Sequence, residues 1–180
     1  PSPAAIDFKK LDHFNGLHIR HLSVEELTER LTPYYAAAGY EADPALLEKV
    51  TPIIQTRITT LDEAPQIAAF LFKEEVKVAD KDLIGKKMTP VESLEAVERA
   101  YGILEVLPAF DAQSMEAPMR AVAEELGLKA GQFFGILRNV VTGQRVSPPL
   151  FDSMELVGRD KVLERLQDAR TRLNTMVETS

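Results

Sequence analysis

The sequence predicts an all-α protein arranged as two small helical bundles. Three observations carry that prediction. Apolar residues recur at three- and four-residue spacing along nearly the whole chain. Helix-start signatures repeat between these runs. The two-residue alternation of half-buried strands is essentially absent. The chain's 180 residues are enough for one or two small domains with a real core.

The elements follow in order. Ser23-Val24-Glu25-Glu26 is a capping box, and Leu27, Leu31, Tyr34 and Tyr35 continue it at helical spacing. Pro33 falls inside this pattern and predicts a kink or break, and Gly39 is a stop. Asp43-Pro44 opens the next helix, with the stripe Leu46, Leu47, Val50, Ile53, Ile54 and Ile58. Thr60 caps a third helix expected over Leu61–Phe72, bent at Pro65. Lys73–Asp80 is the one weak strand or loop candidate and reads as a linker between the two bundles.

A short helix is expected around Lys81–Lys86. Thr89-Pro90-Val91-Glu92 then starts a long helix whose inner face is Leu94, Val97, Ala100, Tyr101, Leu104 and Leu107, closed by Pro108. Helices follow from about Ser114 to Leu126, from Lys129 to Gly143, from Leu150 to Val157, and from Gly158 onward. The loop Ser147-Pro148-Pro149 separates the second and third of these.

Composition excludes several kinds of chemistry. There is no cysteine, so disulfides and thiolate metal sites are out. No apolar run approaches the roughly 20 residues that span a membrane. Pro1-Ser2-Pro3-Ala4-Ala5 has neither a basic start nor an apolar core, so no signal peptide is expected and the cytoplasm is the default compartment. Gly85-Lys86-Lys87 lacks the glycine spacing and the Ser/Thr of a phosphate loop. His13, His18 and His21 lie close together, but no carboxylate joins them at a convincing ligand spacing, so they read as structural. Carboxylate pairs sit where helix N-termini favour negative charge. No catalytic residue, metal site or cofactor site is expected in the chain.

The net charge of −7 argues against nucleic acid as a partner. Its distribution leaves two readings open, a locally positive face on an acidic body or a chance clustering of charge on a solvated surface. No acid lies between Glu125 and Asp152, while Lys129, Arg138 and Arg145 lie inside that window. Readers of splayed bases use arginine forks, stacking surfaces and rigid backbone. Arg138, Arg145 and the loop Ser147-Pro148-Pro149-Leu150-Phe151 supply these together, with Ser147 able to exchange hydrogen bonds with a base edge. The same features also fit an ordinary loop whose Leu150 and Phe151 belong to the core.

The strings Leu137-Arg138, Thr142-Gly143, Ser147-Pro148-Pro149-Leu150-Phe151-Asp152 and Leu156-Val157-Gly158-Arg159-Asp160-Lys161-Val162-Leu163-Glu164-Arg165-Leu166 resemble the C-terminal segment of bacterial glutamyl-tRNA synthetases. Lys10-Leu11-Asp12-His13-Phe14-Asn15-Gly16-Leu17-His18-Ile19-Arg20 resembles the segment after that family's catalytic region, with His13 and His18 where tryptophan and tyrosine are usual. Gln55-Thr56-Arg57-Ile58-Thr59-Thr60-Leu61 and Phe70-Leu71-Phe72 match in the same order.

The resemblance implies the α-helical cage that binds anticodons in this class I synthetase. The end of a stem-contacting segment would lie at 1–22, a first helical subdomain at 23–72 and a second at 73–180. It implies that Arg57 reads the third anticodon base, favouring C. Arg138 with Ser147, Pro148, Leu150 and Phe151 would handle the first two bases. Some relatives carry threonine where Ser147 stands and glycine where Pro149 stands. The partner would be a glutamate-accepting tRNA, bound by a monomer without membrane.

The family's catalytic motifs, HIGH-like and KMSKS-like, are not in this sequence, and Lys87-Met88-Thr89 only echoes the second. The chain is therefore expected to be inactive alone, and ATP and magnesium would belong to the parent enzyme. Two other readings stay open: a helical protein–protein adaptor docking through Leu150 and Phe151, and a stand-alone relative binding another RNA.

Overall fold

The computed structural model describes residues 8–179, and the Pro1–Ala5 start lies outside them. The described residues contain ten α-helices, two short 3-10 turns and no strand. The chain falls into two compact units, Pro1–Phe72 and Lys73–Ser180.

In the first unit α1 is Phe8–His21, α2 Val24–Ala37, α3 Pro44–Ile54 and α4 the single turn Ala64–Ile67. Ser23 starts α2 by the expected capping box. Its hydroxyl accepts from the Glu26 amide at 3.1 Å, and Glu26 accepts from the Ser23 amide at 3.2 Å. Asp43 caps α3 by accepting from the Ala45 amide at 3.1 Å. Pro33 does not break α2, which runs through it as one element. An internal proline costs about 3 kcal/mol. Leu27, Leu31 and Tyr35 of α2 are buried, and each such side chain returns roughly 1.5–3 kcal/mol, so the core wins.

At Pro65 the local signal wins instead. The single helix expected over Leu61–Phe72 is three pieces: a 3-10 turn at Leu61–Glu63, then α4, then a 3-10 turn at Ala69–Leu71. Pro65 has no amide to offer the Leu61 carbonyl, which accepts from Ala64 instead. Between α2 and α3 the buried hydroxyls of Thr28 and Thr51 lie 2.8 Å apart. Each also sits 2.7 Å from the carbonyl four residues earlier, so the pair is satisfied inside the core.

In the second unit α5 is Asp80–Leu83, α6 Pro90–Val106, α7 Ala112–Glu125, α8 Ala130–Thr142, α9 Leu150–Val157 and α10 Arg159–Glu178. α10 lies along α6, and α7, α8 and α9 close the bundle around Val97, Leu104, Phe133, Ile136, Met154 and Leu166. α7 starts two residues before the expected Ser114 because Asp111 caps it, accepting from the Ser114 amide at 2.8 Å. Arg159 sits under the end of α6, where its guanidinium donates to the carbonyls of Glu105 and Leu107.

Helix α5 starts at Asp80 and ends at Leu83, earlier than the helix expected around Lys81–Lys86. The expected strand-or-loop segment is irregular over 73–79 and has no strand. Arginines of α10 strap it down. Arg165 Nη2 donates to the Lys73 carbonyl at 3.0 Å, and Arg172 Nη2 to the Val78 carbonyl at 2.7 Å. Arg165 Nη1 also reaches the Val141 carbonyl at 2.6 Å, at the end of α8. Burial pushes the Arg165 pKa down from the usual arginine value, with Glu164 and Glu74 opposing it.

Candidate nucleic-acid interface

Arg57 stands on the short turn between α3 and the first 3-10 turn, and it is exposed. Its neighbours fix it. Ile58 is fully buried beside it, and the Arg57 amide donates to the Ile54 carbonyl at 2.7 Å. Gln55 Nε2 donates at 2.9 Å to both the Ile19 and the Leu22 carbonyls, which ties the end of α1 to this turn. On the other side Glu63 accepts from the Thr59 amide at 2.6 Å and the Thr60 amide at 3.2 Å. Arg57 is thus an exposed cation on a hydrogen-bonded turn. A cavity of about 260 Å³ lies against the same Thr59–Asp62 stretch, lined also by Asn15, His18, Arg30 and Tyr34.

In the second unit α8 carries Arg138, which is half-buried. Gly143 ends α8 with φ +67°, a left-handed conformation that glycine adopts without penalty. A side chain there would also press on Val76 Cβ at 3.2 Å. Thr142 Oγ1 accepts from the Gln144 amide at 3.2 Å and lies 2.7 Å from the Arg138 carbonyl, fixing the exit of the loop.

The loop itself turns inward. Ser147, Pro148 and Leu150 are buried, and the Ser147 hydroxyl donates to the Pro148 carbonyl at 2.9 Å. Phe151 is half-buried, edge-on to Phe134 with ring centroids 5.3 Å apart. The side chains that face solvent are Arg145 and Val146, the latter 72% exposed. Of the residues expected to meet a ligand, Arg57 of the first unit is exposed and Arg138 of the second is half-buried. Ser147, Pro148 and Leu150 shape the loop from beneath, and Phe151 does so in part.

Arg138 and Arg145 line an open groove of about 570 Å³ between α8 and the stretch from α5 to Lys86. The far wall is tied to α8 at two points. Asn139 Nδ2 donates to the Asp82 carbonyl at 2.8 Å, and Gln132 Nε2 donates to the Lys86 carbonyl at 2.9 Å. Arg145 also pairs with the Asp82 carboxylate at 2.5 Å, which raises its pKa further above the usual arginine value. Lys81 and Lys86 complete four cations against the single acid Asp82 among the lining residues. The groove is thus a positive pocket on a chain of net charge −7. Lys81, Lys86 and Gln132 were not legible as site residues. The available signal was the helical spacing Gly131, Gly135, Arg138, which puts two side-chain-free positions and an arginine on one face of α8.

Residues 26–170 match the family model described as anticodon binding domain. The chain belongs to the anticodon-binding domain family. This anticodon-binding domain is 41% identical over 181 residues to a glutamate–tRNA ligase of Roseiflexus sp. (strain RS-1), covering 97% of the chain and 36% of that protein. It is 40% identical over 178 residues to a glutamate–tRNA ligase of Dehalococcoides mccartyi, covering 96% of the chain and 37% of that protein. The chain thus spans little more than a third of the length of these curated relatives.

The fold matches a crystal structure of a glutamate tRNA ligase from Elizabethkingia meningosepticum in complex with its amino acid, with a TM-score of 0.76. The identity is 21%, and the match covers 89% of the chain and 31% of that structure. The glutamate–tRNA synthetase of Elizabethkingia anophelis gives a TM-score of 0.72, also at 21% identity. The all-helical architecture is therefore shared with about a third of each of these two structures. Among the described residues no helix is long and apolar enough to cross a membrane, and no group of three or more potential metal ligands occurs.

Proposed function

We propose that this anticodon-binding domain reads the anticodon loop of a glutamate-accepting tRNA as the specificity part of a glutamate–tRNA ligase. The observation that carries the reading is the family match over residues 26–170, joined to the positive groove that holds Arg138 and Arg145. Splayed loop bases need planar donors on rigid backbone. Arg57 and Arg138 have that character, the first on the Gln55–Glu63 turn and the second on α8. A guanidinium presents paired donors that match the acceptors on the cytosine edge.

In this reading Arg57 discriminates at the third base, and Arg138 with the loop at 145–151 handles the first two. The buried Ser147, Pro148 and Leu150 contribute by holding the loop backbone and Arg145 in place. Phosphate contacts position the stem and loop while a few side chains read sequence. Charging tRNA with glutamate, with ATP and magnesium, belongs to the parent enzyme, as do any contacts beyond the anticodon arm. The domain is taken to act as a monomer.

The test is Arg138→Ala, measured by titration of the anticodon stem-loop of the glutamate tRNA. Loss of a base contact of this kind weakens binding by about 1–3 kcal/mol and relaxes preference at the base it reads. An unchanged affinity removes Arg138 from the interface.

A further inference from the structure

We infer that the groove between α8 and the α5–Lys86 stretch is a backbone track for single-stranded RNA, with Lys81 and Lys86 holding phosphates opposite Arg138. The inference rests on the anticodon reading above and adds to it the residues that position the strand rather than read it.

The geometry supports a backbone ligand. The groove is open, about 570 Å³ in volume, and long enough to be lined from Gly131 to Arg145. Lys81 and Lys86 are exposed on one wall, and Arg138 and Arg145 stand on the other. The single acid, Asp82, is already paired with Arg145, so it does not offset the lysines. The walls do not need to move on binding, because Asn139 and Gln132 tie them together through the Asp82 and Lys86 carbonyls. The Gln132 and Asn139 amides are spent on these ties, which leaves point charges as the main lining chemistry. Point charges suit phosphates, which lysine binds without regard to sequence.

The shape agrees. Gly131 and Gly135 line the groove on the α8 side, and nothing lies within 4 Å of the place where either Cβ would stand. Glycine inside a helix weakens it, and here no protein atom needs the space. A strand lying close to the α8 backbone does.

The experiment is a salt series with the full chain and the anticodon stem-loop of the glutamate tRNA, beside a loop changed at the third base. Lys81→Gln/Lys86→Gln removes two phosphate contacts. The slope of log affinity against log salt should then fall by about 1.4, equivalent to roughly 25-fold weaker binding at 0.1 M salt. Both loops should lose affinity by the same factor. Lys49→Gln/Lys73→Gln, with the same charge change on exposed lysines outside the groove, should leave the slope in place. A slope that does not change, or that changes equally in the control pair, overturns the track.

Gly135→Ala supplies a second readout. It should raise the melting temperature and weaken RNA binding. Gly102→Ala in α6, equally free of neighbours and outside the groove, should raise the melting temperature and leave binding unchanged. Undiminished binding by Gly135→Ala overturns the close approach to α8. If the unaltered chain binds neither loop at low salt, the anticodon reading and the track fall together. If it binds and the lysine pair keeps the slope, only the track falls.

Discussion

Gly85→Ala should destabilise the protein although alanine is the better residue for a folded chain. An alanine Cβ at this position would stand 2.7 Å from Ile136 Cδ1, 2.9 Å from Ile136 Cγ1 and 2.3 Å from Met88 Sδ. Carbon atoms pack best at about 3.5–4.0 Å, so the intrusion is roughly 1 Å. Met88 can swing its flexible sulfur aside. Ile136 cannot: it is branched, 1% exposed and held in α8. Nor can the backbone easily retreat, because the Gly85 amide donates to the buried Ser93 hydroxyl at 3.0 Å.

Overpacking of this kind costs about 1–3 kcal/mol, against about 0.4–1 kcal/mol gained from a less flexible unfolded chain. The net loss is about 1–2 kcal/mol. That is a drop of roughly 2–8 °C in melting temperature for a protein of this size. Thermal unfolding followed by circular dichroism reads it directly. A melting temperature equal to or above that of the unaltered protein would refute the close packing of Gly85 against α8.

Two more perturbations probe the scaffold. Arg165→Met removes donors to the Val141 and Lys73 carbonyls but also removes a buried charge, so the gain partly offsets the loss. A net destabilisation of about 1–3 kcal/mol in denaturant unfolding is expected, and Arg165→Lys should rescue little of it, because one ammonium lacks the fork that spans both carbonyls. The Asp111 carboxyl is held below its ordinary value of 3.8, first by the Ser114 amide. Its cap therefore contributes in full above that value and is lost as the pH falls through the lower folded one. Asp111→Asn keeps the cap and should flatten that part of the acid-unfolding curve, and an unchanged acid limb would contradict the assignment.

Local chemistry was legible in the sequence wherever the partners lie three or four residues apart. Ser23 with Glu26 and Thr89 with Glu92 formed the caps their spacing predicted. Prolines were harder, because the outcome depends on what the helix buries: Pro33 is overridden by Leu31 and Tyr35, whereas Pro65 divides its segment. The loop at 147–151 fits either a base platform or an ordinary loop packed on the core, and the structure buries Ser147, Pro148 and Leu150 while Pro149 and Phe151 are half-buried. Proline, serine and leucine look alike in sequence whether a loop turns out or in. The groove was least legible, because its walls are joined across 57 residues by Asn139 and Asp82, and across 46 by Gln132 and Lys86. Its acidic surroundings also hide four cations within the chain's net charge of −7.

The central claim is that this domain selects an anticodon. It is tested most directly by low-salt titration of the chain, and of Arg57→Gln, with anticodon stem-loops carrying C or G at the third position. Saturable binding that prefers C, with the preference lost in Arg57→Gln and the fold intact, is the predicted result. Binding of neither loop, or identical affinities for both in the unaltered chain, would contradict it.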